Sequence, residues 1–197
     1  SYLTVSPDEK FVYTVEENDE KNSSVHAFSF DKQHGILVTI NSSPTLSSVP
    51  CYITMHRNGR DLHTANYGGG SITSFQTNED GSVTPAISVI QFKGSGPDSE
   101  RQQSSHVHSV MYSPDEQFLF ATDLGTDKLY RFGVNDTPFA GQPSLQMSSL
   151  KEFKLPPGTG PRHFDFHPDG GKYLYVLGEL SGEVIVFDYH FGELMQK

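Results

Sequence analysis

Short stretches of alternating apolar and polar residues run along the whole chain, and each one ends at a turn signal. In HSVMYSPDEQFLFATDL, for example, an alternating stretch meets a Pro-Asp turn and is followed by a second stretch rich in aromatic residues. Alternation with a period of two predicts half-buried β-strands, and the turns between them predict hairpins. Patterns with the helical period are absent, so the chain is predicted to be all-β.

This strand pattern occurs four times. The four segments are SYLTVSPDEKFVYTVEE, CYITMHRNGRDLHTANY, HSVMYSPDEQFLFATDL and RHFDFHPDGGKYLYVLGEL. They align on Ser6, His56, Ser113 and His167, which are successively 50, 57 and 54 residues apart. A third strand follows each segment (VHAFSF, SITSFQ, KLYRFGV and EVIVFDY), and the first three units add a fourth near GILVTI, ISVIQF and LKEFKL. The fourth unit is expected to stop before its outer strand, at GELMQK.

Antiparallel four-stranded units of about 50 residues are typical of β-propeller blades. A row of separate hairpins is the alternative, but a small sheet with one apolar face is marginal without a neighbour to cover it. We therefore predict one propeller domain over residues 1–197, with blades at approximately 1–49, 50–104, 105–158 and 159–197. Neither end supplies a strand that could close a ring of four, so the chain is interpreted as a fragment of a larger propeller.

The antiparallel order within a blade predicts which residues meet at one face of the disc. The innermost strand starts on the face to which the loop after the second strand returns. Counting back five residues from the alignment positions gives the strand starts Ser1, Cys51, His108 and Arg162, and counting forward gives the loop positions Glu17, Tyr67, Leu124 and Glu179. We therefore expect His108, Arg162 and Glu179 to converge at one mouth of the central channel.

These three residue types suit hydrolysis. Either the carboxylate of Glu179 or a neutral His108 imidazole can take a proton from water. The Arg162 guanidinium can hold an anion or stabilise a developing oxyanion. A structural ion pair between Arg162 and Glu179 is the simpler alternative, and both roles can coexist because a paired carboxylate stays ionised.

Other candidates border the same mouth. Asn66, Tyr67 and the Gly68-Gly69-Gly70 run should lie there, although the run lacks the helix and the Gly-Lys-Ser pattern of a phosphate loop. His106 and His108 form a His-x-His pair with no third ligand at a matching spacing, so neither a metal nor a cofactor is expected. A histidine hydrogen-bonded at the channel wall is the structural alternative for both. Cys51 is interpreted as a small buried filler.

Charge and composition limit the partners. The formal net charge of −10 argues against nucleic acid, and it means that an anionic substrate needs a local positive group such as Arg162. No apolar run approaches the roughly 20 residues that cross a bilayer, so no membrane segment is expected. The single cysteine fits a reducing compartment, and a cytoplasmic location is expected.

Three strings resemble the lactonase family of seven-bladed propellers. They are PCYITMHRNGRDLHTANYGGGSITSF, HVHSVMYSPDEQFLFATDLGTDKLYRF and GPRHFDFHPDGGKYLYVLGELSGEVIVF. The family includes bacterial 6-phosphogluconolactonases of the propeller type and fungal carboxymuconate cyclases, and the resemblance covers essentially the whole chain. It implies one further blade before Ser1 and about two after Lys197. It also implies that the histidine, one arginine and the glutamate of the cyclase active site correspond to His108, Arg162 and Glu179, with a second arginine on a later blade.

The function implied by the resemblance is hydrolysis of a phosphorylated sugar lactone, 6-phosphogluconolactone, to 6-phosphogluconate without a cofactor. Asn66, Tyr67, His106 and His163 are the expected substrate-binding residues, and the expected partner is the missing blades, from the rest of the propeller or from another chain. A muconolactone-type cyclase is one alternative. A non-catalytic binding platform, with Tyr67 and the glycine run as its contact surface, is another.

Overall fold

The computed structural model describes residues 2–18, 23–135 and 139–197, which fold into four antiparallel sheets of four strands each. The first sheet comprises β1 (Leu3–Val5), β2 (Phe11–Val15), β3 (Ser24–Asp31) and β4 (Ile36–Pro44). The second comprises β5 (Pro50–Met55), β6 (Asp61–Asn66), β7 (Ser71–Gln76) and β8 (Ser88–Gln91). The third comprises β9 (Val107–Tyr112), β10 (Phe118–Asp123), β11 (Lys128–Val134) and β12 (Leu145–Lys154). The fourth comprises β13 (Pro161–Phe166), β14 (Tyr173–Gly178), β15 (Val184–His190) and β16 (Glu193–Gln196).

In every sheet the strands lie side by side in chain order. The first strands β1, β5, β9 and β13 contact one another in succession, as the inner strands of neighbouring propeller blades do. The prediction of four four-stranded antiparallel blades is therefore confirmed. The described residues contain no helix that is long and apolar enough to cross a membrane.

One expectation about the fourth unit was wrong. The segment GELMQK forms the outer strand β16, which pairs with β15 from His190 opposite Glu193 to Phe187 opposite Gln196. The strand is reached by a two-residue turn, because Phe191 and Gly192 both have positive φ values of 45° and 79°. Two such residues in succession are characteristic of the tight turn that matches the twist of a hairpin. Gly192 therefore forms part of the turn in the hairpin of β15 and β16.

Apolar residues between successive sheets form the core. One cluster joins the first and second sheets, and includes Tyr13, Val25, Leu62 and Phe75. A second joins the second and third sheets, and includes Ile72, Val110, Leu119 and Phe132. A third joins the third and fourth sheets, and includes Phe120, Leu129, Leu174 and Phe187. Because each cluster draws on two sheets, packing fixes the position of each inner strand relative to the next, and so positions the residues at the channel mouth.

Candidate active site at the channel mouth

Three of the four inner strands begin with a β-bulge at the equivalent position. In β5 the pairing skips Cys51, in β9 it skips His108, and in β13 it skips Arg162. A bulge inserts one unpaired residue, bends the strand and changes the direction in which that side chain points. The three positions that the repeat aligned therefore share one backbone irregularity. The fourth, Ser1, lies outside the described residues.

Glu179, in the turn after β14, lies between two arginines. Its Oε2 accepts a hydrogen bond from Arg162 Nη1 at 2.5 Å, and its Oε1 accepts one from Arg101 Nη2, also at 2.5 Å. Burial opposes ionisation of this carboxyl, but the hydrogen bonds and charges of Arg101 and Arg162 outweigh it and lower the pKa of Glu179. Glu179 is thus an ionised carboxylate at neutral pH, and the ion pair with Arg162 that the sequence suggested is present.

Arg101 was missed by the sequence reasoning, because it belongs to the connection between β8 and β9 and not to a repeated strand. That connection is well ordered by its own polar groups. Asp98 Oδ1 accepts hydrogen bonds from the backbone N–H groups of Glu100 and Arg101, both at 2.9 Å. The adjacent Gln102 is fully buried. The 57-residue spacing between the second and third units, the longest of the three, is the signal that could have drawn attention to this connection.

His108 is buried, and the charge of Arg162 acts on its ring. Its side of the mouth is aromatic, with the His163 ring at 5.2 Å and the Tyr67 ring at 5.5 Å, both edge-on. Its Nδ1 is buried and has no hydrogen-bond partner among the described residues. Burial, followed by the charge of Arg162, lowers the pKa of His108 to about 4. The imidazole is therefore neutral at physiological pH and retains a basic nitrogen.

His106 and His163 belong to the same cluster of rings, His106 through Tyr67 and His163 through direct contact with His108. The His106 ring stacks on Tyr67 at 4.5 Å, and its Nδ1 donates to the Tyr67 carbonyl oxygen at 2.9 Å. The His163 ring lies edge-on to Tyr52 at 5.9 Å. Burial, with the charge of Arg162, also lowers the pKa of His163. Across the described residues, no three His, Cys, Asp or Glu side chains group closely enough to hold a metal ion.

Asn66 is the last residue of β6 and fixes the position of the strand end next to Tyr67. It is fully buried, and its amide donates to Ser71 Oγ at 3.0 Å and to Thr73 Oγ1 at 2.9 Å. Its Oδ1 accepts a hydrogen bond from Thr64 at 3.1 Å. These bonds hold the end of β6, from which Tyr67 projects. The side chain of Asn66 is thus engaged within its own sheet, whereas the Tyr67 ring lies against the histidines.

Cys51 lies behind His108. Its Sγ is 3.2 Å from the His108 carbonyl oxygen, and burial raises the pKa of the thiol to about 12. Since the thiolate is the reactive form, this cysteine is inert at neutral pH. Cys51 is buried, as the sequence indicated, and fills the space behind the bulge in β9.

Asp127 links the segments that carry the two arginines. Its Oδ1 accepts hydrogen bonds from Gln102 Nε2 at 2.8 Å and from Gly160 N at 2.7 Å, and its Oδ2 accepts one from Gly158 N at 2.7 Å. Gln102 follows Arg101 directly, and Gly160 lies two residues before Arg162. The buried carboxylate therefore holds both arginine-bearing segments in one register.

We expect Asp127→Ala to destabilise the full-length protein by about 3 kcal/mol, because it leaves buried donors without an acceptor. Alanine is also unfavourable at the positive φ of 53° found here, whereas asparagine tolerates it and keeps one acceptor oxygen. Asp127→Asn is thus the matched control and should lose about 1 kcal/mol. Urea unfolding followed by circular dichroism would measure both. Equal stability of the two variants would contradict this role.

Comparisons with known proteins identify the family and agree with the fold. The family model described as "Lactonase, 7-bladed beta-propeller" matches residues 1–197. A 6-phosphogluconolactonase from Bacillus subtilis is 34% identical over 190 residues, which cover 96% of this chain and 51% of that protein. One from Formosa agariphila is 33% identical over 195 residues, covering 98% of this chain and 54% of that protein.

Solved structures show the same likeness over the whole chain. The structure of a putative 6-phosphogluconolactonase from Bacteroides fragilis is 45% identical and superposes with a TM-score of 0.94, covering 100% of this chain and 55% of that chain. A periplasmic gluconolactonase from Pseudomonas aeruginosa is 35% identical with a TM-score of 0.88, covering 100% of this chain and 56% of that chain. The chain therefore spans about half the length of these relatives.

Proposed function

The chain belongs to the lactonase family of seven-bladed β-propellers, and we propose that the protein hydrolyses 6-phosphoglucono-1,5-lactone to 6-phosphogluconate. One observation carries the proposal. A neutral, buried imidazole lies at the same channel mouth as two arginines that share one carboxylate. This arrangement offers a base for water beside cationic groups for an anionic substrate. The B. subtilis and F. agariphila relatives are named 6-phosphogluconolactonases, and these names indicate a phosphorylated lactone as the substrate.

The ring-opening step uses His108 and Arg162 on the lactone. His108 takes a proton from water as the water oxygen forms a bond to the lactone carbonyl carbon. Arg162 stabilises the negative charge that develops on the carbonyl oxygen. The bond from that carbon to the ring oxygen then breaks, and the ring oxygen leaves as a hydroxyl group after receiving the proton from His108. The product is the carboxylic acid, which ionises to 6-phosphogluconate.

Glu179 acts as an anchor in this mechanism. Both of its oxygens accept hydrogen bonds from arginines, and its pKa is held below the ordinary value. The oxygens of Glu179 are therefore already occupied by arginine N–H groups, whereas the His108 side chain forms no ion pair among the described residues. Of the two groups that the sequence left open as the base, the geometry favours His108. Tyr67, His106 and His163 line the mouth as substrate contacts, and Asn66 contributes through its support of Tyr67.

The proposal includes further blades that complete the ring. The faces of the first and fourth sheets that point away from the core clusters carry exposed apolar side chains, among them Leu3, Val5, Leu177 and Val184. Each of these four is between 43% and 59% exposed. Apolar sheet faces are normally covered by a neighbouring layer. In a seven-bladed ring they would pack against the adjoining blades.

A cytoplasmic location is also part of the proposal, because phosphorylated sugars are made and consumed inside the cell. The P. aeruginosa gluconolactonase, by contrast, is described as periplasmic.

Ring opening of 6-phosphoglucono-1,5-lactone by the full-length protein tests the function. We expect turnover well above the spontaneous hydrolysis measured in the same buffer, with glucono-1,5-lactone and muconolactone run in parallel. Turnover of muconolactone alone would instead identify a cyclase. If no lactone reacted faster than it does without protein, the propeller would be a binding platform and the proposed function would be wrong.

A further inference from the structure

The guanidinium of Arg101 occupies the outer side of Glu179. Its Nη2 donates to Glu179 Oε1 and approaches the Tyr67 hydroxyl at 3.5 Å. Among the described residues, Nε and Nη1 of Arg101 donate no hydrogen bond, and the side chain is 44% exposed. The free N–H groups of Nε and Nη1 can donate charge-assisted hydrogen bonds to the oxygens of a phosphate group.

One arginine is enough to neutralise the charge of Glu179, so the second arginine leaves an excess of positive charge. Glu179 carries one negative charge, whereas Arg101 and Arg162 carry two positive charges, and the nearby His108 and His163 have lowered pKa values. The cluster of two arginines and one carboxylate therefore carries one net positive charge, in a chain whose formal net charge is −10. Such a local excess attracts an anion against the overall field.

Arg101 is also held in place before any ligand binds. The turn at Asp98 orders the backbone on one side of it, and Gln102, bonded to Asp127 and to the Leu124 carbonyl oxygen, anchors the other side. A group that is already ordered loses little entropy on binding a ligand.

The two arginines differ in their neighbours. Arg162 is on the bulge that begins β13, next to His163 and on the same side as His108. Arg101 lies on the other oxygen of Glu179, against Tyr67. A ligand with two polar ends could therefore use both arginines, one at each end.

We propose that Arg101 is a specificity-determining residue that binds the phosphate group of the substrate, while Arg162 faces the lactone carbonyl. The proposal rests on the proposed function, since it divides the two ends of the same substrate between the two arginines. It states which residue distinguishes a phosphorylated sugar lactone from the unphosphorylated one. The simpler role for Arg101, positioning of Glu179 alone, would affect both lactones equally.

The test compares kcat/KM for 6-phosphoglucono-1,5-lactone and glucono-1,5-lactone in the full-length protein, each corrected for spontaneous hydrolysis. Arg101→Ala should lose about 10- to 100-fold on the phosphorylated lactone, the range expected for a charge-assisted hydrogen bond, and change less than about 2-fold on glucono-1,5-lactone. Arg101→Lys should fall between, because it keeps the charge but offers fewer N–H donors than a guanidinium. Arg60→Ala, in the turn between β5 and β6 at the opposite face, is the control and should leave both values unchanged.

An equal loss on both lactones would show that Arg101 only positions Glu179, and an unchanged preference would also overturn the proposal. Failure of the proposed function is recognised separately, as absence of turnover in the unaltered protein. In that event, calorimetry with 6-phosphogluconate and gluconate tests whether Arg101 binds the phosphate group. Binding of 6-phosphogluconate that weakens in Arg101→Ala, with gluconate unaffected, supports phosphate recognition. No binding of 6-phosphogluconate, or equal binding by both proteins, overturns it.

Discussion

Replacement of Arg162 by alanine is expected to lower kcat for lactone ring opening by roughly 10²- to 10³-fold in the full-length protein. The guanidinium is aimed by the bulge in β13 and fixed by Glu179, so it can stabilise charge without reorganising during the reaction. Removing a preoriented donor of this kind costs transition-state stabilisation more than substrate affinity. The measurement is steady-state turnover of 6-phosphoglucono-1,5-lactone, with spontaneous hydrolysis subtracted.

The control for Arg162→Ala is a measurement of its thermal stability, which shows whether the variant is still folded. Glu179 keeps its bond to Arg101, and the Arg162 side chain is 43% exposed, so the melting temperature should change little. Arg162→Lys should recover only part of the rate, because an ammonium cannot reproduce the planar fork. Wild-type turnover in Arg162→Ala would exclude this arginine from the chemistry.

Replacement of His108 by glutamine is expected to lower kcat by roughly 10²- to 10⁴-fold, the usual contribution of a positioned general base. In the unaltered protein the base works only when it is neutral. Because burial and the charge of Arg162 lower the pKa of His108 to about 4, kcat/KM should stay level as the pH falls from 7 and decrease only near pH 4. NMR titration of the His108 ring should give the same midpoint.

Two variants sharpen the His108 test. Arg162→Gln removes a positive charge near the ring, so the pKa of His108 and the acid limb of any residual activity should both move upward. His34→Gln, on an exposed turn of the first sheet, should leave the profile unchanged. A limb at the ordinary histidine value near 6.5 in the unaltered protein would contradict the assignment of His108. If Glu179→Gln abolished turnover while His108→Gln did not, the base would be Glu179.

The site could be found from the sequence only where it coincides with the repeat. Alignment of the units equated Cys51, His108 and Arg162, and the structure places each of them on a bulge in its inner strand. Register is shared by repeated units because each one folds the same local hairpins. Arg101 has no counterpart in the other units, and its partner Glu179 is 78 residues away. No periodic signal connects such a pair.

The sequence pattern was also insufficient to predict the outer strand β16. Four residues carry too little alternation to predict a strand. The glycine at position 192 is equally consistent with a turn into a new strand and with the end of the blade. Pairing with β15 decided the matter, because the strand exists through the hydrogen bonds that its neighbour offers.

The sequence by itself determined that the chain forms four-stranded blades, and that Cys51, His108 and Arg162 occupy equivalent positions in their inner strands, because alternation and turn chemistry act over a few residues. Only the tertiary structure decided that Arg101 joins Arg162 on Glu179, that burial keeps His108 neutral and that the Asn66 side chain is buried and bonded within its own sheet. Burial and ion pairing depend on side chains from the second, third and fourth sheets at once. Their geometry is set by the packing between blades, which local patterns do not encode.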